Sequence, residues 1–344
     1  MITLHTELGR RGYDITVGRG AISEAGRLFS LDRRVLIVTD SGVPVEYAEA
    51  VKAQCQKASI LTLKEGEGSK SIDGLTDVLK AMHELELTRG DCAVAVGGGM
   101  VGDLCGFASS MYMRGIDFYN IPTTLLSDVD SSIGGKTAIN FMGVKNTVGA
   151  FYQPSGVIID TDLLKSLPNR QINSGLAEVV KMAITMDEGL FLDIEAMRYE
   201  EIIENIENII VRSIEIKKSV VEADEKESGL RKVLNFGHTL GHGIEAVSGM
   251  NELYHGECVA LGMIPMCKGE ARKRLIAVLD KIGLPTRFTG DVGGALNFIV
   301  HDKKCAGESV SAIYCEKIGT FEMKSVSIEE IKQSALCDER FKKT

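Results

Sequence analysis

Short apolar runs alternate with segments of helical periodicity through the first half of the chain, and helical periodicity takes over in the second. Arg34-Val-Leu-Ile-Val-Thr39 is an apolar run closed by Asp40-Ser-Gly, which reads as a buried parallel strand running into a loop. Ser59-Ile-Leu-Thr-Leu63 is a second such run, leading into Glu65-Gly-Glu-Gly-Ser-Lys70. Leu75, Val78, Leu79, Met82 and Leu85 then recur at helical spacing and predict a helix from about Ser71 to Leu87. Cys92-Ala-Val-Ala-Val96 predicts a third strand, ending in Gly97-Gly-Gly99, after which a helix starts through Met100-Val-Gly-Asp103. Asp117 to Ile121 predicts a fourth strand. Further on, Ile202, Ile206, Ile210, Ile214 and Val221 form one stripe of a long helix expected from Arg198 to Glu222. The pattern predicts an α/β N-terminal domain over residues 1–153 and a mostly α-helical C-terminal domain over 154–344, divided near Pro154.

Composition narrows the class. A chain of 344 residues is comfortable as two domains. Glycine at 37 against proline at 6 suits many tight loops on an α/β frame. The net charge of −9 argues against a nucleic-acid surface, which needs a basic face. There is no run of about eighteen apolar residues to span a bilayer, and Met1-Ile-Thr-Leu-His-Thr-Glu7 lacks the basic start and apolar core of a signal peptide. Eight cysteines without a Cys-xx-Cys spacing read as buried thiols in a reducing compartment. A soluble cytoplasmic protein with no membrane and no nucleic-acid partner is expected.

The candidate chemistry lies at the strand ends and in a histidine cluster. Strand, glycine loop and helix at Cys92–Asp103 aim backbone N–H groups and a helix N-terminus at a phosphate. Gly97, Gly99 and Gly102 fit the dinucleotide spacing only loosely, and Asp40 closing an earlier strand suits a ribose hydroxyl. A dinucleotide is the favoured ligand and a structural turn the alternative. Ile121-Pro-Thr-Thr-Leu-Leu and Asp128-Val-Asp-Ser-Ser-Ile-Gly-Gly-Lys136 are rich in hydroxyls and glycine, as loops that clamp a phosphate are. Lys217 stands where the apolar stripe expects an apolar residue, either snorkelling or held inward for an anion. Three of the six histidines, His238, His242 and His255, fall within eighteen residues. With Glu178 upstream they offer the ligand set of a divalent metal that keeps a position open. His238 and His242 are four apart and share one helix face, so from spacing alone both are candidate ligands.

Taken together, these blocks resemble the 3-dehydroquinate synthases. The resemblance runs from about Val35 to Gly319 and rests on Gly97-Gly-Gly-Met-Val-Gly-Asp103, Met113-Arg-Gly115, Pro122-Thr-Thr-Leu-Leu126, Asp130-Ser-Ser-Ile-Gly-Gly-Lys136-Thr-Ala-Ile-Asn140, Lys145-Asn146, Gly175-Leu-Ala-Glu178-Val-Val-Lys181, Leu234-Asn-Phe-Gly-His238-Thr-Leu-Gly-His242, His255-Gly-Glu257 and Asp302-Lys-Lys304. It implies a Rossmann-like N-terminal domain, a mostly helical C-terminal domain, an active site between them, NAD, a divalent metal (zinc or cobalt) and a homodimer. By matching motif the metal ligands would be Glu178, His238 and His255. NAD would be lined by Asp40, Glu67, Lys70, Gly98, Gly99, Gly102, Asp103, Thr123, Thr124 and Lys145. The substrate would be held by Arg114, Lys136, Asn146, Lys217, Arg231 and Lys303, with His242, Lys181, Asp130 and Asn235 as catalytic groups. Gln171 and Gly42 depart from the family's more frequent glutamate and asparagine.

The activity so implied converts a phosphorylated sugar acid, 3-deoxy-D-arabino-heptulosonate 7-phosphate, to 3-dehydroquinate and phosphate in the shikimate pathway. Oxidation, phosphate β-elimination, reduction and aldol closure follow one another, with NAD regenerated. The several cations of the substrate set suit a ligand with a carboxylate and a phosphate. The alternatives are another sugar-phosphate cyclase such as a 2-deoxy-scyllo-inosose synthase, a metal-dependent glycerol or alcohol dehydrogenase, and a non-enzymatic nucleotide-binding module.

Overall fold

Residues 1–248, 252–303 and 309–341 are described by a computed structural model, with side chains at all of these except 299–303 and 309. They form two compact units, Met1–Pro168 and Asn169–Thr344.

The first unit is built on strands β1 (Ile2–His5), β2 (Asp14–Val17), β3 (Arg34–Asp40), β4 (Lys57–Leu63), β5 (Cys92–Gly97), β6 (Asp117–Pro122) and β9 (Gly156–Ile159). Their order is β1-β2-β9-β6-β5-β3-β4. Every adjacent pair is parallel except β1 with β2. Side-chain alternation divides two cores across the sheet. Leu36, Val38, Ala93 and Ala95 face the helices Ile72–Glu84 and Gly99–Met111, packing with Leu75, Val78, Met82 and Leu104. Val35, Ile37, Val94 and Val96 face the other way, against Ala48 and Val51 of the helix Val45–Lys52. Covering on both faces is why these strands read as unbroken apolar runs. The Ile72–Glu84 helix starts where expected, because Ser71 Oγ accepts the Gly74 N–H at 3.3 Å.

Three expectations need amendment. The units divide after Pro168 rather than near Pro154, because β9 follows Pro154 and completes the sheet between β2 and β6. The stretch expected as clamping loops contains an antiparallel hairpin, β7 (Lys136–Phe141) with β8 (Val144–Phe151). The long helix expected from Arg198 to Glu222 is two helices, Tyr199–Glu204 and Ile206–Ala223. Asn205 leaves helical geometry between them, at φ −97° and ψ 13°, and its side-chain amide shares the Glu201 carbonyl with its own backbone N–H, at 2.8 and 3.1 Å.

The second unit is mostly helical, with one hairpin among the described residues, β10 (Ser309–Tyr314) with β11 (Glu322–Ser327). Its central helix, Asn169–Met186, is buried without interruption from Ser174 to Thr185. Two further helices, His238–Val247 and His255–Met263, pack against each other at van der Waals distance. Glycine makes that approach possible. A Cβ on Gly262 would lie 2.0 Å from the Gly237 carbonyl oxygen, and one on Gly241 would lie 3.0 Å from that of Cys258. Gly256 likewise abuts Ser174 of the central helix, with only 2.0 Å from a Cβ to the Ser174 carbonyl oxygen.

Candidate metal and nucleotide sites

Glu178 and Lys181 sit one helical turn apart on the central helix, 0% and 2% exposed, and form an ion pair through Glu178 Oε2. The neighbouring helices bring two imidazoles to the other oxygen. His238 Nε2 lies 3.6 Å and His255 Nε2 3.5 Å from Glu178 Oε1. The helix carrying His255 is clamped to the central helix twice. Arg170 donates to both Glu257 oxygens at 2.7 and 2.8 Å, and the Gly256 N–H donates to Ser174 Oγ at 3.0 Å. His238 is oriented by its own chain, with Nδ1 3.2 Å from the Phe236 carbonyl oxygen. A carbonyl only accepts, so Nδ1 carries the hydrogen and Nε2 presents its lone pair.

Both Glu178 oxygens are buried and accept no hydrogen bond, although the Lys181 ammonium lies against one of them. A buried carboxylate so poorly satisfied is costly, and two converging Nε2 atoms beside it are what a divalent cation would satisfy. The donor atoms of Glu178, His238 and His255 lie within 4.8 Å of one another. These residues fit such an ion. Burial pushes the Glu178 pKa up, but the Lys181 charge and then the imidazoles outweigh it and hold it well below the usual range. Burial, then the Lys181 charge, hold His238 well below the ordinary imidazole value. Burial would lower His255 too, but Glu178 and Glu245 overcome it and push its pKa up to about 10. Without an ion, His238 is neutral and His255 protonated.

A second group, His242, Glu245 and His255, also gathers its donor atoms within 4.8 Å. His238 and His242 therefore fall in different groups despite sharing a helix face, and His255 belongs to both. Spacing left the choice open; the approach of the His255 helix separates the two. In the same unit, Lys217 is 5% and Arg231 2% exposed. The Asn235 amide donates to Glu227 Oε1. Asp224 accepts from the N–H groups of Ser228 and Gly229 at 2.9 and 2.6 Å, folding the loop that carries Arg231 and Asn235. The side chain of Lys303 lies outside the described residues. Glu245 was not singled out from the sequence, although it stands seven residues after His238 and three after His242, on their stripe.

In the first unit, the C-terminal ends of β3, β5 and β6 lie side by side and deliver Asp40, Gly97 and Thr123 to one edge. The chain order reverses between β3 and β5, the kind of switch point where open α/β sheets bind ligands. The helix Gly99–Met111 starts here with Gly98 as its cap, no side chain satisfying the cap and no acidic residue in the first turn. Its free N–H groups suit a diphosphate. Gly98 and Gly99 are also close-packed, with a Cβ meeting Thr124 at 3.2 Å and Ser131 at 2.8 Å. The Asp40 carboxylate accepts the Gly42 N–H at 2.8 Å, and burial raises its pKa. Gly42 itself has no room for a larger side chain without movement, since a Cβ would lie 2.7 Å from Glu65 Oε2.

Lys70 is 5% exposed and donates to Asp103 Oδ2 at 2.6 Å and Asn146 Oδ1 at 2.5 Å. Asn140 links this network to Glu67 Oε1 at 3.0 Å and accepts the Asn146 N–H at 3.0 Å. Asn146, expected on the substrate, is thus brought together with three of the residues expected on NAD. Asp130 is half-buried in the π-helical turn Ser127–Ser131. Arg114, Lys136 and Lys145 are exposed.

Two family profiles match end to end, the 3-dehydroquinate synthase N-terminal domain over residues 60–174 and the C-terminal domain over 175–305. The chain belongs to the 3-dehydroquinate synthase family. A family member from Streptococcus sanguinis (strain SK36), named 3-dehydroquinate synthase, is 40% identical over 349 residues, covering 96% of this chain and 98% of that protein. Among solved structures, a 2-deoxy-scyllo-inosose synthase complexed with carbaglucose-6-phosphate, NAD+ and Co2+ superposes with a TM-score of 0.87 at 26% identity, over 97% of this chain and 99% of that one. A 2-epi-5-epi-valiolone synthase from Streptomyces hygroscopicus subsp. jinggangensis 5008 with NAD+ and Zn2+ bound does so with a TM-score of 0.86 at 25% identity, over 98% of each chain. The fold is that of the dehydroquinate synthase-like sugar-phosphate cyclases.

Proposed function

We propose that this chain is a 3-dehydroquinate synthase acting on 3-deoxy-D-arabino-heptulosonate 7-phosphate, with NAD and a divalent cation, zinc or cobalt. The observation that carries the reading is the buried Glu178 carboxylate, ion-paired to Lys181 through one oxygen and met at the other by His238 and His255 Nε2, in a chain of this family. When bound, NAD and the ion supply hydride acceptance at the C5 carbinol and polarisation of its oxygen. Glu178, His238 and His255 hold the ion. The uncapped start of Gly99–Met111, Asp40 and the Lys70–Asp103 network hold the nucleotide, with Thr123, Thr124 and Lys145. Lys181, Lys217 and Arg231, with Arg114, Lys136 and Lys303, bind a ligand anionic at two ends. His242, beside the ion-binding group and exposed, moves a proton at the reacting oxygen. Asp130 and Asn235 orient the ring. The substrate is oxidised, loses phosphate by β-elimination, is reduced again, opens, and closes by aldol addition, so nothing but the sugar acid is consumed.

Among the described residues no helix is long and apolar enough to cross a membrane. We take the enzyme to work in the cytoplasm and, as the family resemblance implies, as a homodimer. A 2-deoxy-scyllo-inosose synthase activity is the second reading, from the likeness in fold. Comparing kcat/KM on the heptulosonate phosphate with that on glucose 6-phosphate decides between them. A site built for a carboxylate should favour the former by about 100-fold or more, and the reverse preference would replace the proposal by the second reading.

A further inference from the structure

We propose that Glu245 is a positioning residue of the metal site: its carboxylate holds the Nδ1–H of His255 so that Nε2 faces Glu178. The inference rests on the divalent-metal reading above and extends it to a residue outside the ligand set. His255 is suspended between two carboxylates. Its Nε2 lies 3.5 Å from Glu178 Oε1, and its Nδ1 lies 3.6 Å from Glu245 Oε2. The Glu245 contact needs to shorten by roughly half an ångström to become an N–H···O hydrogen bond.

An imidazole gives a lone pair to a cation only from the nitrogen that carries no hydrogen. An acceptor at the other nitrogen fixes both the tautomer and the ring plane. His238 is arranged in the same way, with Nδ1 on the Phe236 carbonyl oxygen at 3.2 Å and Nε2 toward the same Glu178 oxygen. The two rings thus have matching roles and different anchors, one a backbone carbonyl and one a side chain. Glu245 reaches its place because it lies two helical turns after His238 on His238–Val247, where Gly241 and Gly262 let the His255–Met263 helix come close. Its side chain is only 15% exposed, so little water competes for the contact. The arrangement His242, Glu245 and His255 also resembles a ligand set of its own. Using it would demand a lone pair on Nδ1 while Nε2 already serves the first group, which a neutral imidazole cannot supply.

The test uses the full chain and measures Co2+ binding by competition with a chromophoric chelator, together with the number of ions bound, the visible Co2+ spectrum and thermal unfolding. Wild type should bind one ion. Glu245→Ala should weaken binding by about 10- to 100-fold with one ion still bound, and its Co2+ spectrum should shift as the His255 ring loosens. Glu245→Gln, which keeps an acceptor oxygen without the charge, should recover part of the loss and provides the comparison if the alanine variant does not fold. Unchanged affinity and spectrum in both variants would overturn the assignment. So would two ions in wild type and one in Glu245→Ala, which would make Glu245 a ligand of a second ion. Wild type that binds no Co2+ would instead overturn the metal reading itself.

Discussion

Replacing Asp128 by asparagine should stabilise the protein at neutral pH. Asp128 lies in the Ser127–Ser131 turn at 1% exposure, and neither of its carboxylate oxygens has a hydrogen-bond partner. Its charged neighbour is Asp160, whose own carboxylate is engaged by the N–H groups of Gly20, Ile22 and Asp162 at 2.9, 3.0 and 3.0 Å. Burial first, and repulsion by Asp160 second, push the Asp128 pKa well above its ordinary value. The folded state then binds a proton that the unfolded chain releases, so stability falls as pH rises from the usual carboxylate range toward the folded pKa. Linkage sets the slope at about 1.4 kcal/mol per pH unit in that window. Asparagine has no proton to lose and removes the slope, while keeping a neutral group of the same shape. The two proteins should be equally stable at about pH 4, and the variant ahead by more than about 1 kcal/mol at pH 7. Urea unfolding followed by circular dichroism across this range measures the difference. Parallel pH profiles, or a variant less stable at neutral pH, would show that Asp128 is ionised and satisfied in the folded protein.

Lys217 is buried on a mostly apolar helix face, so Lys217→Ala should lower kcat/KM by about 100-fold or more, the cost of losing a buried charge-assisted contact of about 3 kcal/mol. An unchanged kcat/KM would mark the lysine as structural. His242 lies outside the Glu178 group, so His242→Ala should keep its full complement of metal by elemental analysis while losing rate. Loss of the ion would make His242 a ligand. Metal binding must displace the proton that Glu178 and Glu245 keep on His255, whose pKa is about 10. Affinity should therefore rise with pH through the neutral range, up to tenfold per unit, and a flat profile by chelator competition would contradict that protonation state. Gly262→Ala would place a methyl group 2.0 Å from the Gly237 carbonyl oxygen. Forcing the two histidine-bearing helices apart should cost about 1–3 kcal/mol and weaken Co2+ binding, and unaltered unfolding and affinity would show that the contact yields freely.

Much of this was legible in the sequence where burial is two-sided. β3 and β5 carry continuous apolar runs because helices cover both faces, and the run lengths locate them within a residue or so. The β7–β8 hairpin was not, because Val144–Phe151 is largely exposed and shows no clean alternation for its period to register. The break at Asn205 turns on the backbone of one residue leaving helical geometry, which a stripe of isoleucines conceals. The metal group shows the same limit. Periodicity puts His238 and His242 on one face, but which histidine joins His238 at Glu178 depends on a helix crossing set by Gly237, Gly241 and Gly262. The assignment of Glu178, His238 and His255 came from the family's motifs, and spacing could not supply it. Glu245 was within reach of the seven-residue spacing from His238, and its meaning depends on where the neighbouring helix places the His255 ring.

The proposed reaction turns on an oxidation that is undone within one turnover. The most direct measurement follows phosphate release and NADH absorbance together, with purified protein, the heptulosonate phosphate, a divalent metal and NAD far below the substrate concentration. Phosphate released in large excess over the NAD present, with no net NADH and with loss of activity on chelation, is the expected result. NADH accumulating in step with substrate consumed, or no phosphate released at all, would contradict it.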